Sequence, residues 1–263
     1  MKILMLAGTA EARQLAGCLG RRPDRYDLTT SLAGETRQPQ VFPCNLRVGG
    51  FGGEAGLVRF LVDGGFERIV DATHPFARYP RTVARAAQQT GIPCLRFLRP
   101  PWPRRPHWQM VDDLDGAARA LPAGCRALLA TGRKSARAFA GTKAEWLGLR
   151  VVDPCDTRRW STNGVWLDVP ANPTVEDERA VMGEHRVTHL VCKNSGGRFG
   201  LARLDAADQL GVTTIMIRRP GLSLPPDPDL ATSIPEALRW LDRMLLETPS
   251  DAFSTGPEIA RRI

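Results

Sequence analysis

Short apolar segments alternate with segments of helical periodicity along most of the chain. Residues 2–7 form a continuous apolar run, typical of a central strand that is buried on both faces of a parallel sheet. Residues 9–19 follow with apolar positions spaced for one helix face. The same pattern predicts further strands at 27–33, 46–48, 68–72, 93–98, 126–130, 149–152, 165–169, 189–192 and 213–217. It predicts further helices at 57–62, 81–89, 114–121, 175–185, 201–210 and 234–246.

A proline-rich run separates two stretches of this alternation. Four prolines lie within residues 99–106, and they can continue neither a helix nor a central strand. We interpret this run as a connection between domains. The predicted fold class is α/β, with two domains of mainly parallel sheet. The first covers residues 1–101 and the second 102–247, and residues 248–263 form a C-terminal tail.

Composition excludes several classes of protein. The 263 residues are 43% hydrophobic, but no apolar run reaches the roughly 18 residues that indicate a membrane span. The first apolar run is broken too early, by residues 8–13, for a signal peptide, so we expect a cytoplasmic protein. The six cysteines include no Cys-x-x-Cys pair, which favours buried free thiols over a disulfide or zinc framework.

Candidate chemistry begins directly after the first predicted strand. Gly8, Thr9 and Ala10 open the following helix, where backbone N–H groups are suited to hold a phosphate. Simple capping of the helix by Thr9 explains the same residues. The turn lacks the Gly-x-Gly-x-x-Gly fingerprint of dinucleotide-binding folds.

The loop after the second strand contains Ser31, Thr36 and Arg37. In a dinucleotide-binding fold this loop meets the adenosine ribose, and an acidic residue at the strand end favours NAD. Hydroxyl groups and a cation instead suit the 2′-phosphate of NADP. An ordinary polar surface loop is the alternative interpretation.

A third loop, residues 49–53, has four glycines around Phe51. Glycines permit positive φ and close approach of the backbone to a ligand. Gly50, Phe51 and Gly52 therefore favour a flat ligand lying against the backbone. A flexible turn before a helix is the alternative.

The run Asp71-Ala72-Thr73-His74-Pro75-Phe76-Ala77 places Thr73 and His74 at the carboxyl end of a predicted strand. Ligands bind at that edge in open α/β sheets, and Pro75 stiffens the loop. His74 is a candidate proton donor, or it pairs with a carboxylate, or it caps local backbone.

Loops after strands of the second half combine hydroxyl or amide donors, glycine and cations, a composition that binds anions. The candidate anion-binding residues here are Thr131, Gly132, Arg133, Lys134, Lys193, Ser195, Gly196 and Arg218. The formal net charge of +8 fits a polyanionic small ligand as well as it fits nucleic acid.

His185 and His189 have the spacing for a metal site only if both lie on one continuous helix. We predict a change from helix to strand between them, so no metal site is expected.

Taken together, these motifs resemble the precorrin-6A reductase family of cobalamin biosynthesis. The resemblance covers nearly the whole chain up to the last helix, and Asp71-Ala72-Thr73-His74-Pro75-Phe76-Ala77 is its most specific element. One departure is Ala7, where the family often has a second glycine before Gly8-Thr9. The other motifs that carry it are Gly8-Thr9-x-Glu11-Ala12, Ser31-x-Ala33-Gly34, the glycines of 49–53, Thr131-Gly132-Arg133-Lys134 and Lys193-x-Ser195-Gly196-Gly197.

The resemblance implies NADPH-dependent reduction of one double bond of precorrin-6A to give precorrin-6B (dihydro-precorrin-6A). It also implies two Rossmann-like domains with the cofactor and the macrocycle in the cleft between them. Hydride then passes directly to a ring carbon, and His74 or water supplies the proton. A cobalt-containing ring is the alternative substrate, and we expect a monomer or weak homo-oligomer. The expected cofactor-binding residues are Gly8, Thr9, Ala10, Ser31, Thr36, Arg37, Gly50, Phe51, Gly52 and Thr73.

Three other classes of protein share some of these features. A short-chain dehydrogenase needs a Tyr-x-x-x-Lys pair, but Tyr26 and Tyr79 are followed four residues later by Thr30 and Val83. A methyltransferase that uses S-adenosylmethionine also places glycine-rich loops after strands and stays open. A nucleic-acid-binding module needs a clustered basic face or an aromatic platform, which this sequence lacks, so no nucleic-acid partner is expected.

Overall fold

The computed structural model describes residues 1–34, 44–151, 159–168, 173–221 and 228–247. Two of the expected cofactor residues, Thr36 and Arg37, lie outside these ranges, as do Cys155 and the predicted tail. The described residues form twelve strands and eight α-helices, and the predicted element types are confirmed wherever a strand or helix was expected. Some bounds are identical to the predicted ones, and the others differ from them by a few residues.

The strands are β1 (Lys2–Ala7), β2 (Asp27–Leu32), β3 (Asn45–Val48), β4 (Arg68–Ala72), β5 (Cys94–Phe97), β6 (Gln109–Val111), β7 (Arg126–Ala130), β8 (Trp146–Val151), β9 (Gly164–Asp168), β10 (His189–Lys193), β11 (Thr213–Ile217) and β12 (Asp229–Ala231). The helices are α1 (Ala10–Gly20), α2 (Gly53–Asp63), α3 (Pro80–Thr90), α4 (Leu114–Ala120), α5 (Ala136–Phe139), α6 (Val175–Glu184), α7 (Leu201–Gln209) and α8 (Ile234–Glu247).

The strands form two six-stranded sheets in which every pairing between named strands is parallel. The first sheet has the order β3-β2-β1-β4-β5-β12 and the second the order β9-β8-β7-β10-β11-β6. The strand order reverses between β1 and β4 in the first sheet and between β7 and β10 in the second. Such reversal points are where open α/β sheets form a ligand-binding crevice. The α/β prediction with two Rossmann-like, parallel sheets is confirmed.

The edge strand β12 of the first sheet comes from the other half of the chain. Strand β6 follows the proline-rich connection and pairs with β11, whereas β12 follows β11 in sequence and pairs with β5. The prediction that residues 102–247 all belong to the second domain is therefore wrong for β12 and α8. The three-residue strands β6 and β12 were not predicted from the sequence, because they lie at sheet edges and have no sustained apolar run.

The first sheet is covered by helices on both faces. Side chains alternate along β1, so Ile3 and Met5 face one core cluster and Leu4 and Leu6 the other. The first cluster includes residues of α1 together with Ala237, Trp240 and Leu241 of α8, and the second includes residues of α2 and α3. Full burial on both faces explains why β1 reads as a continuous apolar run.

The proline-rich connection is docked on the second sheet. Trp102 is buried, its backbone N–H donates to Asn194 Oδ1 at 2.8 Å, and its indole N–H donates to the Gly197 carbonyl at 2.7 Å. Arg105 forms ion pairs with Asp205 and Asp208 of α7. These contacts make the connection a fixed part of the structure rather than a flexible tether.

The structure also describes five of the cysteines and the segment between His185 and His189. Cys18, Cys44, Cys94, Cys125 and Cys192 are free, and only the last two are fully buried. Helix α6 ends at Glu184 and β10 begins at His189, so the predicted helix-to-strand change is confirmed. In the described ranges, no helix is both long enough and apolar enough to pass through a lipid bilayer.

Candidate functional site

The loop after β1 lies against the loop after β4, at the reversal point of the first sheet. A β-carbon on Gly8 would lie 3.8 Å from the backbone N of His74 and 4.0 Å from Thr73 Cα. Thr9 caps α1 by accepting a hydrogen bond from the backbone N–H of Ala12 at 3.1 Å. Its hydroxyl also lies 3.4 Å from the Ala72 carbonyl. Four expected cofactor residues, Gly8, Thr9, Ala10 and Thr73, therefore come together here.

The loops after β2 and β3 also meet, around a residue that the sequence analysis missed. The Arg47 guanidinium donates to the carbonyls of Gly49 and Gly50 at 2.5 and 2.6 Å and to Ser31 Oγ at 3.3 Å. Its central carbon lies 3.8 Å from the Phe51 ring centroid, a cation–π contact. Gly52 has φ 80° at the start of α2, in the left-handed region that favours glycine. Ser31, Gly50, Phe51 and Gly52 thus form one group, with Arg47 at its centre.

Thr73 is held by a buried ion pair. Arg96 Nη1 lies 2.6 Å from Asp71 Oδ1, and both side chains are almost completely buried. The Thr73 hydroxyl donates to the same carboxylate oxygen at 2.8 Å and accepts from Arg96 at 2.9 Å. Breaking a buried pair typically costs about 3–5 kcal/mol, so this network fixes the loop. Arg96 is a charged residue within the otherwise apolar strand Cys94–Phe97, and this is the feature of the sequence that could have predicted the buried ion pair.

His74 is held in the neutral form. Burial, and to a smaller extent the nearby cations Arg99, Lys193, Arg219 and Arg96, together lower its pKa to about 4. The backbone N–H of Phe76 donates to His74 Nδ1 at 3.2 Å, so the neutral ring carries its proton on Nε2. Near pH 7 His74 is therefore a hydrogen-bond donor and not an imidazolium acid.

The reversal point of the second sheet has a similar polar arrangement. Lys193 Nζ donates to the Thr131 carbonyl at 2.6 Å, which joins the ends of β10 and β7. The hydroxyls of Thr131 and Ser135 lie 2.6 Å apart, and Ser135 also donates to the Gly132 carbonyl. Gly132 has φ 88° and leads into a 3₁₀ turn at Arg133–Ser135. Arg133 and Lys134 lie on the exposed part of this turn.

The edges of the two sheets face each other. Phe76, from the loop after β4, packs on the core of the second sheet, and Lys193 Nζ lies 5.6 Å from its ring centroid. Arg99 Nε donates to the Ser195 carbonyl at 2.6 Å. Gly196 is buried at this contact. A β-carbon on it would lie only 1.9 Å from the Pro100 carbonyl oxygen, so the position has no room for a larger side chain. Its observed role is close packing between the connection and the loop after β10.

Arg218 does not join this group. Its guanidinium pairs with Asp112 at 2.7 Å, and both side chains are largely exposed. The next residue, Arg219, instead donates to the carbonyls of Asn194, Ser195 and Arg99 at 2.8–3.0 Å. Successive residues of an extended segment point to opposite sides, which explains why one of the two faces the site and the other does not.

The space between the edges is strongly cationic. Arg96, Arg99, Lys193 and Arg219 all lie close enough to His74 to lower its pKa. Burial and the neighbouring arginines lower the pKa of Arg219 to about 10, which still leaves it charged near neutral pH. Among the described residues, Asp71 forms an ion pair with Arg96 and Glu11 forms one with Arg99, and these are the acidic partners of the two arginines. A cleft of one sign of charge attracts anionic ligands.

Comparison with known proteins gives a consistent picture. Residues 2–242 match the family described as Precorrin-6x reductase CbiJ/CobK. A precorrin-6A reductase from Rhodococcus erythropolis is 42% identical over 244 residues, 91% of this chain and 97% of the relative. A cobalt-precorrin-6A reductase from Priestia megaterium is 28% identical over 83% of this chain and 90% of the relative.

A solved structure of similar sequence has the same fold. It is described as CobK precorrin-6A reductase and has a TM-score of 0.84, with 34% identity over 92% of this chain and 96% of that one. The family match extends from β1 into α8 and so includes both sheets and the crossing between them. The chain therefore belongs to the precorrin-6x reductase family, CbiJ/CobK.

Proposed function

We propose that this protein reduces one double bond of precorrin-6A, with NADPH as the reductant, in cobalamin biosynthesis. The observation that carries the proposal is the 42% identity to the Rhodococcus erythropolis precorrin-6A reductase over 97% of that protein. The two facing sheet edges support it, because they offer separate places for a dinucleotide and for a polyanionic ring.

The reversal point of the first sheet fits the diphosphate of a dinucleotide. Gly8 leaves the approach to Thr73 and His74 open, and Thr9 and Ala10 begin α1, whose first backbone N–H groups suit an anion. When bound, NADPH supplies the hydride for the reduction. The protein's own contribution is to orient the two reactants and to exclude water.

Selection of NADPH over NADH rests on the group around Ser31. The Arg47 guanidinium is the described cation in that group, and arginine forms strong charge-assisted hydrogen bonds with phosphate. Arg37 and Thr36 lie in the same predicted loop, outside the described residues. We assign the 2′-phosphate to this position, with Arg47 as its principal described partner.

The second sheet edge is the proposed place of the macrocycle. Its acetate and propionate carboxylates suit cations and hydroxyl or backbone donors at the strand ends. Thr131, Gly132, Ser195 and the cations Arg133, Lys134 and Lys193 provide these. Arg218 is left out of this set because it pairs with Asp112.

The proton that completes the reduction comes from water in this proposal. A histidine with a pKa of about 4 carries almost no extra proton near pH 7, so it is a poor general acid. The Nε2–H group of neutral His74 can instead donate a hydrogen bond to the ligand, and the surrounding cations stabilise negative charge on the ring carboxylates.

The test is anaerobic incubation of the pure protein with precorrin-6A and NADPH, following the nicotinamide absorbance and the ring spectrum together. We expect equal loss of NADPH and of precorrin-6A. Parallel incubations contain NADH instead of NADPH, or cobalt-precorrin-6A instead of the metal-free ring. Reduction of the cobalt-containing ring alone would contradict the assignment of metal-free precorrin-6A as the substrate. Equal rates with NADH and NADPH would contradict the assignment of NADPH as the cofactor.

A further inference from the structure

One ion pair bridges the two sheet edges. Arg99 lies two residues after β5, and its Nη1 contacts Glu11 Oε2 at 2.5 Å. Glu11 is the second residue of α1, in the helix turn that follows Gly8 and Thr9. The same guanidinium donates through Nε to the Ser195 carbonyl of the second sheet. Arg99 therefore contacts the proposed cofactor edge and the proposed ring edge at once.

The surroundings hold this pair in place. Its side chains are 14% and 20% exposed for Arg99 and Glu11. Gly197, with φ 81°, approaches so closely that a β-carbon on it would lie 2.7 Å from Glu11 Oε1 and 3.1 Å from Arg99 Cδ. The backbone carbonyl of Arg99 accepts from Arg219 at 2.8 Å. The pair is thus a packed feature of the interface and not a mobile surface contact.

A carboxylate at this position is favourable only while no other anion is present. The positive end of the helix dipole stabilises an acidic side chain in the first turn. A diphosphate bound at the same helix start would meet that carboxylate as a like charge. Arg99 would then lie between two anions, of which the diphosphate carries the larger negative charge, and a guanidinium fork matches the oxygens of either one.

We propose that Arg99 is a binding residue for the cofactor diphosphate and that Glu11 is a positioning residue that holds it until the cofactor arrives. This inference rests on the proposed binding of NADPH at the start of α1. Binding transfers the guanidinium from the carboxylate to the diphosphate. Glu11 therefore competes with the cofactor for Arg99 and lowers its affinity.

The two partners should have opposite effects on NADPH affinity. Glu11→Gln removes the competing charge but keeps the side-chain size, and we expect NADPH to bind about three- to tenfold more tightly. Arg99→Gln removes the diphosphate partner, and we expect binding about tenfold weaker or more. In the double variant the tightening by Glu11→Gln should disappear, since no guanidinium is left to release.

Direct binding is measured by the fluorescence of NADPH in the absence of ring substrate. Adenosine 2′-monophosphate serves as a second probe, because it lacks the diphosphate and its affinity should be unchanged in all three variants. Unchanged affinity for this probe also shows that the first sheet is folded. Glu176→Gln, in the exposed first turn of α6, is the matched control for loss of one acidic charge at a helix start.

Each outcome decides the matter. Opposite shifts that couple in the double variant support the inference. Weaker NADPH binding by Glu11→Gln, or no change in either single variant, overturns it while leaving the cofactor assignment intact. Failure of the unaltered protein to bind NADPH overturns the proposed function itself, and the inference with it.

Discussion

His74 lies among cations in a largely buried position, and this environment makes its protonation costly. The pKa is lowered from 6.5 to about 4 in the folded protein. The unfolded chain therefore binds more protons than the folded one between these two values, and stability falls as the pH drops from 6.5 towards 4. Above pH 6.5 the two states bind equally, and the effect vanishes.

Replacing His74 should remove this acid-induced loss. In His74→Gln we expect the free energy of unfolding to fall less between pH 6.5 and 4, by roughly 3 kcal/mol. Urea denaturation at a series of pH values for both proteins gives the difference directly. An identical pH dependence in the two proteins would mean that His74 is not the group responsible.

Arg47 is the second residue whose role the structure revealed. Since its guanidinium lies beside Ser31, Arg47→Met should weaken NADPH binding about tenfold or more through loss of a charge-assisted hydrogen bond. NADH lacks the 2′-phosphate, so its affinity should stay nearly constant and serves as the internal control. Titration of the two cofactors by fluorescence measures both affinities. Equal weakening of both would indicate that Arg47 only supports the loop at Gly49 and Gly50.

At the scale of elements, the predicted pattern succeeded wherever both faces of a strand are buried. Central strands such as Lys2–Ala7 and Arg126–Ala130 have bounds identical to the predicted ones. The short edge strands Gln109–Val111 and Asp229–Ala231 were missed, because an edge strand needs only a few backbone pairings and little apolar surface. The helix 234–246 was predicted, but its amphipathic face could not reveal which sheet it covers.

The placement of α8 can be tested by a core substitution. Trp240 is buried in the core cluster that includes Ile3 and Met5 of β1, and its indole N–H donates to Asp229 of β12 at 2.6 Å. Trp240→Ala should therefore destabilise the protein by about 3–5 kcal/mol. In hydrogen exchange, amides of β1 and β5 should lose protection while those of β10 keep it.

Leu204 on α7 gives the matched control, since it is buried in the core of the second sheet. Leu204→Ala should reverse the pattern, with greater loss of protection in β10 than in β1. If Trp240→Ala instead exposed β10 first, the assignment of α8 to the first sheet would be contradicted.

At the scale of the whole molecule, the first sheet depends on a part of the chain that follows the second sheet. The chain crosses from the first sheet to the second through residues 98–108 and returns after Ile217 to form β12. Because β12 and α8 cover one edge and one face of the first sheet, residues 1–101 lack part of their own core. We therefore expect that residues 1–101 do not fold independently.

A fragment of residues 1–101 should accordingly fail to unfold cooperatively. Joining residues 228–247 to its end through a flexible connection of about twelve residues, long enough for a crossover between parallel strands, should restore a cooperative thermal transition. Circular dichroism on heating distinguishes the two. Cooperative unfolding of 1–101 alone would show that β12 and α8 are dispensable.

The sequence by itself determined the alternation of strands and helices, the parallel α/β class and most of the loops at the two sheet edges. These follow from local periodicity and from the turn residues at strand ends, which are read within a few positions. The resemblance to the reductase family also came from short motifs of this kind. Such signals need no knowledge of what lies elsewhere in the chain.

Only the tertiary structure decided which sheet receives β6, β12 and α8, and which cations meet at the cleft. Arg47, Arg96 and Arg99 gained their roles from partners that lie close only in the fold, as with Arg99 and Glu11, 88 positions apart. Arg218 and Arg219 are adjacent in sequence yet face opposite sides. The neutral state of His74 likewise depends on burial and on charges brought from both halves, since desolvation and long-range contacts exist only once the chain has folded.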